Sequence, residues 1–119
     1  MSQIIGQRGE ELVVGHLRQK GFTILERNYR QRSGEVDIIA MHDELLVFVE
    51  VKTRQACKFD FSCVITRKKQ QKMAFVAKQY LARHTYENKV YRFDVALVEG
   101  SDSTAKITYI PQAFVIDNW

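Results

Sequence analysis

An α/β fold, built on a mixed sheet of about five strands with one helix against either face, is predicted for this 119-residue chain. Two segments have apolar residues at helical spacing, and five others alternate in polarity and are rich in branched and aromatic residues. The order is helix, three strands, helix, two strands, which is typical of helices packed on a single sheet. A chain of this length buries enough surface to fold as one domain, residues 1–119, without disulfides or a structural metal.

The boundaries of the elements follow from changes in this patterning. Gly21 stands where a left-handed residue would end the first helix, and Asp43 and Glu44 lie where two strands would join in a tight turn. Pro111 is expected to end the last strand, because proline cannot donate a backbone hydrogen bond. The predicted elements are a helix at 3–20, strands at 22–29, 35–41 and 45–53, a loop at 55–65, a helix at 66–84, and strands at 90–99 and 105–110.

Composition excludes several classes of protein. No apolar run approaches the ~20 residues of a membrane helix, and the N-terminus lacks the pattern of a signal peptide, so a cytoplasmic location is expected. Cys57 and Cys63 do not have zinc-ligand spacing, and the three histidines are scattered, so free thiols are expected. The net charge of +4 is compatible with a polyanionic partner.

Acidic residues are concentrated in the hairpin of the second and third strands. Alternation places Glu35, Asp37 and Ile39 on one face, and Val36, Ile38 and Ala40 on the other. A turn centred on Asp43 and Glu44 then brings Asp37 directly across from Glu50, with Lys52 further along the same face. Directly opposed carboxylates destabilise a strand pair unless they share a proton or a cation. Hard divalent ions such as Mg²⁺ or Mn²⁺ take oxygen ligands of this kind, so this pair is a candidate metal site.

An ordinary solvated hairpin is the alternative interpretation of the same residues. In that case Glu35 would pair with Lys52 across the strands, and the acids would need no ligand. However, Ile39 and Phe48 share the face, so the acids would stand beside apolar residues. A partly buried acidic cluster is more often a functional site, with Glu35 supporting it from the adjoining position.

Four strings of the sequence resemble a known family: RGEE at residues 8–11, GEVDIIA at 34–40, FVEVKTR at 48–54 and YRFDVALVE at 91–99. They are similar to those of the YraN-like family of small bacterial proteins, which are described as candidate endonucleases. That family is similar in fold to Holliday-junction resolvases of the PD-(D/E)XK nuclease superfamily. The resemblance runs from the first helix to the fourth strand and implies a restriction-endonuclease-like sheet.

The resemblance also implies roles for particular residues. It makes Asp37 and Glu50 metal ligands and Lys52 the catalytic lysine. It makes Glu10 an acid on the first helix that assists in catalysis and metal binding, with Glu11 as its rival. A bare D…ExK pattern is common by chance, whereas the flanking strings are specific. The chain departs from the family between residues 55 and 64, where FDFSC replaces the usual phenylalanine and glycine, which leaves the conformation of that loop open.

Basic residues are concentrated in two places, either of which could contact the phosphates of a nucleic acid. Cations at a helix N-terminus oppose the helix dipole, so their presence there hints at an anionic partner, although a solvated charged face is an equally good explanation. The first group, in the opening turns of the second helix, is Arg67, Lys68, Lys69 and Lys72. The second, in or near the loops that flank the hairpin, is Arg27, Arg30, Arg32 and Arg54.

The leading hypothesis is a Mg²⁺- or Mn²⁺-dependent endonuclease that acts on DNA, including branched or structured DNA. The alternatives are a non-catalytic nucleic-acid-binding module with the same fold, and an adaptor whose acidic face docks an unidentified protein partner. The resemblance to resolvases also implies a homodimer, because a junction presents paired cleavage sites. Asp94, in the RFD string, lies beside Arg92 on a predicted strand and has no assigned role.

Overall fold

The computed structural model describes residues 2–54, 65–86, 89–100 and 104–116, with the side chains of residues 8–53 in the first of these stretches. Cys57, Cys63 and most of the predicted loop lie outside the described residues. The elements are α1 Ser2–Gln19, β1 Thr23–Gln31, β2 Gly34–His42, β3 Leu45–Arg54, α2 Arg67–Arg83, β4 Val90–Glu99 and β5 Lys106–Phe114. Their order and types confirm the predicted α/β fold. Within the described ranges, neither helix is apolar enough over the length that crossing a membrane requires.

The five strands form a single mixed sheet in the order β1-β2-β3-β4-β5. Three of the neighbouring pairs are antiparallel, and β3 and β4 are parallel. Parallel neighbours need a crossover connection, and the segment that contains α2 provides it. β1 and β5 are therefore the edge strands, and β3 lies at the centre.

Each face of the sheet is covered by one helix, as the sequence predicted. On one face, Val13, Val14 and Leu17 of α1 pack against apolar residues of β2, β3 and β4. On the other face, Met73, Val76, Ala77 and Tyr80 of α2 pack against a second set from the same strands. The alternation of the two sets along β3 is regular, since Val47 and Val49 face α1 whereas Leu46 and Phe48 face α2.

Local hydrogen bonds explain where both helices begin and end. Gly21 has a φ of 95°, and after α1 the N–H groups of Gly21 and Phe22 donate to the carbonyls of Arg18 and Leu17. The hydroxyl of Thr66 accepts a hydrogen bond from the Lys69 N–H at 3.1 Å, which caps the N-terminus of α2.

The prediction that Pro111 ends the last strand was wrong, because β5 continues to Phe114. Val95 pairs with Ile110, but the next pair is Phe93 with Phe114, so residues 111–113 bulge opposite Asp94. Proline is tolerated here because the bulge lies on an edge strand, where no ladder partner needs its missing N–H.

Candidate functional site

The predicted register of the β2–β3 hairpin is confirmed over five pairs, from His42 with Leu45 to Ile38 with Val49. The ladder stops one residue before Asp37 and Glu50. Beyond that point the Val51 N–H donates to Asp37 Oδ2 at 2.8 Å, so a side-chain carboxylate takes the place of a strand partner. Asp37 and Glu50 thus lie where the two strands separate, with their carboxyl groups in hydrogen-bond contact.

The pairing of β1 with β2 is interrupted at the same place. Arg27 pairs with Ile38 and Tyr29 pairs with Val36, but Asn28 and Asp37 between them are not paired. Asn28 has a φ of 52°, in the left-handed region that asparagine tolerates better than most residues. This irregularity also explains why the predicted face of Val36 was wrong. Val36 packs in the cluster that faces α2, not with Ile38 on the α1 face.

Both acids are buried, since Asp37 is 6% and Glu50 is 3% exposed. Burial, together with the hydrogen bond and negative charge of Glu50, raises the pKa of Asp37 to about 8, although the hydrogen bond from the Val51 N–H opposes the shift. Two adjoining buried carboxylates cannot both be ionised cheaply without a compensating cation. At neutral pH the metal-free site therefore favours the protonated form of Asp37.

Lys69, on the first turn of α2, supplies positive charge to this pair. Its Nζ lies 2.5 Å from Glu50 Oε2. The contact is an ion pair at hydrogen-bond distance, and it compensates the charge of a carboxylate that is almost fully buried. The sequence predicted Lys69 as a nucleic-acid contact, and the structure places it against a proposed metal ligand.

Lys52 lies beside Lys69, in hydrogen-bond contact with it. Burial lowers the pKa of Lys52, and the Lys69 ammonium lowers it further, against the opposing charges of Glu50 and Asp37. Burial also lowers the pKa of Lys69, but the hydrogen bond and charge of Glu50 outweigh it, so the net shift is upward. Lys69 is thus the firmly charged member of the two, and Lys52 loses its proton more readily.

Glu10 approaches the same region from α1. Burial raises its pKa, as do the charges of Glu35 and Glu50, while a hydrogen bond from Asn28 and the charge of Arg27 oppose the shift. Gly9 permits this approach, because a Cβ there would lie 2.0 Å from Thr53 Cγ2 on β3. The rival acid, Glu11, is exposed.

A cleft of about 350 Å³ opens beside Glu50. Lysines from α2 line one side, and the start of β2 lines the other. The positive rim and the acidic floor would suit a ligand that carries both phosphate groups and a metal ion. The lining residues are Gly34, Glu35, Glu50, Thr66, Lys68, Lys69, Lys72 and Met73.

The other predicted basic contacts are more dispersed. Arg30 Nε donates to Glu35 Oε2 at 2.7 Å, so Glu35 at the rim of the cleft is engaged by an arginine of β1. Lys68 and Lys72 project from the cleft wall, and Arg32 and Arg67 are exposed. The side chain of Arg54 lies outside the described part of the chain.

Asp94 does not belong to this site. It alternates with Ala96 and Val98, which pack against α1, so it lies on the other face of the sheet. Arg92 donates to both of its oxygens, at 2.8 and 2.9 Å, and the Tyr109 hydroxyl and Gln112 N–H donate at 2.5 and 2.9 Å. Asp94 thereby closes the β5 bulge, a structural role that its sequence context did not reveal.

The oxygen atoms of Asp37 and Glu50 are suitable ligands for the divalent ion that the sequence implies. Two adjoining buried carboxyl groups, one of them compensated only by a partly exposed lysine, fit Mg²⁺ or Mn²⁺, because such ions take one or two protein carboxylates and complete their shell with water and phosphate. Among residues whose side chains are described, no three Asp, Glu, His or Cys form a group able to hold an ion by themselves. Asp37 and Glu50 are thus the two acids in direct contact, and Glu10 does not complete a group of three with them.

Comparison with known proteins identifies relatives over almost the whole chain. The model of the uncharacterised protein family UPF0102 matches residues 9–98, a segment that contains all the acids and lysines of the site. The UPF0102 protein of Alkaliphilus metalliredigens is 40% identical over 116 residues, covering 96% of this chain and 100% of the relative. The UPF0102 protein of Caldicellulosiruptor bescii is 43% identical over 114 residues, with 92% and 96% covered. A solved structure, the SPO1766 protein of unknown function from Silicibacter pomeroyi, is 19% identical, with 89% of this chain and 70% of that chain covered and a TM-score of 0.42.

Proposed function

The chain belongs to the uncharacterised protein family UPF0102, and we propose that it is a metal-dependent nuclease that hydrolyses phosphodiester bonds of DNA, including branched or structured DNA. The observation that carries this proposal is the buried Asp37–Glu50 pair, with Lys52 beside it, at the edge of a lysine-lined cleft. Incompletely satisfied carboxylates in a cleft are more typical of functional sites than of structural ones.

In the proposed nuclease, Asp37 and Glu50 hold Mg²⁺ or Mn²⁺, and Glu10 contacts the ion through water. When bound, the ion would supply positive charge to a phosphate oxygen and lower the pKa of a water molecule. Glu10 is kept in orientation by its hydrogen bond to Asn28, and Asp37 by the Val51 N–H. These two hydrogen bonds, one from a side chain and one from the backbone, fix the acids before a ligand arrives, which reduces the ordering required on binding.

Lys52 is the proposed catalytic lysine. Its lowered pKa increases the fraction of neutral amine, which can hold the attacking water and accept a proton from it. The charged form would instead stabilise the negative charge that develops on the phosphate. In either form the amine must lie near the acidic pair, and its hydrogen bond with Lys69 and its electrostatic interaction with Glu50 and Asp37 meet that requirement.

Phosphates on either side of the scissile bond would be bound by the exposed cations of α2. Lys68 and Lys72 line the cleft, and Arg67 is exposed on the same first turn. The first turn of α2 contains no acidic residue to neutralise them. Because such contacts release counterions from DNA, binding is expected to weaken steeply as the salt concentration rises.

The decisive experiment is cleavage of labelled linear, single-stranded and four-way-junction DNA with and without Mg²⁺ or Mn²⁺. The wild type is expected to cleave at least one substrate only when metal is present. Asp37→Asn and Lys52→Met should reduce the rate by about a hundredfold or more, as loss of a main electrostatic group does. Asp43→Asn is the matched control, because Asp43 is exposed at the other end of the same hairpin and asparagine tolerates its φ of 53°.

Cleavage that persists unchanged in Asp37→Asn would contradict the proposed active site. A non-catalytic nucleic-acid-binding module is the second candidate, favoured by the Lys69–Glu50 ion pair, which compensates one acid without a metal. That module would bind DNA in a salt-dependent way, weaken when Lys68 and Lys72 are replaced by glutamine, and cleave none of the substrates. Absence of both DNA binding and metal binding would leave the protein-interaction adaptor.

A further inference from the structure

We infer that Lys69 is a built-in counter-cation that competes with a divalent ion for Glu50 and passes to a substrate phosphate when the ion binds. This inference rests on the proposed metal-dependent function and adds a residue that neither the acidic pair nor the D…ExK pattern includes. In the metal-free protein, according to this inference, the Lys69 ammonium compensates the negative charge of Glu50 until a divalent ion binds.

The contact between Lys69 and Glu50 carries the inference. Glu50 is 3% exposed, and the ammonium of Lys69 contacts its Oε2 at 2.5 Å. Removal of this ammonium without a replacement would leave a buried carboxylate uncompensated, so a divalent ion at Glu50 is the natural exchange partner of Lys69. The side chain of Lys69 is 40% exposed, so its ammonium can leave Glu50 for the open cleft without unpacking the core.

The start of α2 explains why Lys69 points there. Thr66 is the N-cap, and its hydroxyl fixes the backbone of Lys69, the third helical residue. A capping box would have glutamate at this position, and a lysine instead opposes the helix dipole. Glu50 supplies the missing negative charge from across the cleft. The backbone of Lys69 is thus held firmly, whereas its long side chain is tied only by an ion pair.

Charge counting gives the direction of the exchange. Lys52 and Lys69 already lie in contact against two carboxyl groups. A divalent ion would add two further positive charges at the same carboxylates and repel the ammonium of Lys69, which contacts Glu50 Oε2 directly. Lys69 would then join Lys68 and Lys72 along the wall of the cleft, where a phosphate would meet three lysines. Metal binding and phosphate binding should therefore be coupled through one side chain.

The test is the affinity for Mn²⁺, measured by calorimetry in the absence of DNA. Lys69→Met is expected to bind Mn²⁺ about threefold to tenfold more tightly than wild type, because the competing ammonium is gone. Lys68→Met and Lys72→Met are the matched controls, since both residues line the same cleft but no ion pair links them to Glu50. Their affinities should stay within about twofold of wild type.

Equal or weaker Mn²⁺ binding by Lys69→Met, when wild type binds and Asp37→Asn does not, would overturn the inference while leaving the metal-dependent function intact. If neither wild type nor Lys69→Met binds Mn²⁺, the proposed function fails, and the inference fails with it.

Lys69→Met leaves Glu50 buried without a counterion, and the variant could misfold for that reason. A second measurement therefore uses only the wild-type protein. In protein with ¹³C-labelled lysine ε-carbons, titration with Mg²⁺ should shift the Lys69 resonance and saturate with metal binding. The resonances of Lys68 and Lys72 should move much less. A Lys69 resonance that does not respond while Mg²⁺ binds would show that the ammonium does not leave Glu50.

Discussion

Two buried carboxylate sites on the same sheet have been stabilised in opposite ways. Asp94 is 0% exposed and accepts four hydrogen bonds, two from Arg92, one from Tyr109 and one from the Gln112 backbone. Its charge is matched by a guanidinium, and both of its oxygens are fully used. Such a carboxylate has no capacity left for a ligand, and it holds β4 and β5 together across the bulge.

Asp37 and Glu50 are almost as deeply buried but much less well satisfied. Asp37 accepts one backbone hydrogen bond, its pKa is raised, and Glu50 Oε2 faces only the Lys69 ammonium. Burial therefore does not distinguish the acids of the proposed site from the structural acid Asp94. The distinction is the number of fixed donors that each carboxylate receives, because unmet coordination is what a metal ion or phosphate-bound cation can satisfy.

The largest expected effect is the loss of the satisfied acid. Asp94→Ala should lower the free energy of unfolding by about 3–5 kcal/mol, because Arg92 would remain partly buried without a counter-charge. Tyr109 and the Gln112 N–H would lose their acceptor as well. Urea denaturation monitored by circular dichroism measures this change.

Asp94→Asn is the control for that prediction, since it keeps the shape and one acceptor oxygen and should cost less than the alanine variant. A loss below about 1 kcal/mol for Asp94→Ala would be the size of a single ordinary hydrogen bond and would show that the network is not cooperative.

The second prediction concerns Asp37 and Glu50, and here replacement of the acid should raise the free energy of unfolding relative to wild type as the pH rises. Because the pKa of Asp37 is raised from 3.8 to about 8, the folded metal-free protein holds a proton that the unfolded chain releases. The stability associated with this group is fully present below pH 4 and is lost as the pH rises through 8. Asp37→Asn removes that dependence, so the variant should gain stability relative to wild type by at most about 1.4 kcal/mol per pH unit across this window.

Thermal unfolding in EDTA at a series of pH values between 4 and 8 tests this difference. Asp43→Asn, at the exposed turn, should follow wild type at every pH. An Asp37→Asn variant that is equally destabilised at all pH values would mean that Asp37 is ionised throughout.

Much of the fold could be predicted because it depends on local patterns. Alternation and the tight turn predicted the hairpin register correctly as far as Ile38 and Val49. Beyond these residues Asp37 and Glu50 are not ladder partners, and the neighbouring β1–β2 ladder is also interrupted, at the left-handed Asn28, which a period of two does not predict. The prediction for Pro111 was wrong because β5 contains a bulge that tolerates proline. Asp94, which is distant in sequence, stabilises that bulge by accepting a hydrogen bond from the Gln112 N–H.

The site was predictable to the extent that one hairpin builds it. The proximity of Asp37 to Glu50 follows from the turn at Asp43 and Glu44, whereas Glu10 was implied only by family resemblance. The contact of Lys69 with Glu50 depends on how α2 lies across the sheet, which no periodicity specifies. The available signal was a lysine three residues after an N-capping threonine, where the helix dipole favours an acid.

The smallest expected effect comes from the helix cap that holds the counter-cation. Thr66→Ala should lower the free energy of unfolding by about 1 kcal/mol, because the Lys69 N–H loses its acceptor. Thr66→Ser retains the hydroxyl and should restore most of that stability.

If Glu50 is compensated only because the cap holds Lys69 in position, the alanine variant should also bind Mn²⁺ more tightly than the serine variant. Equal Mn²⁺ affinities in the two variants would show that the ion pair does not need the cap. In that case the helix cap would play no part in the difference between Glu50 and Asp94, and that difference would depend only on the groups that contact each carboxylate.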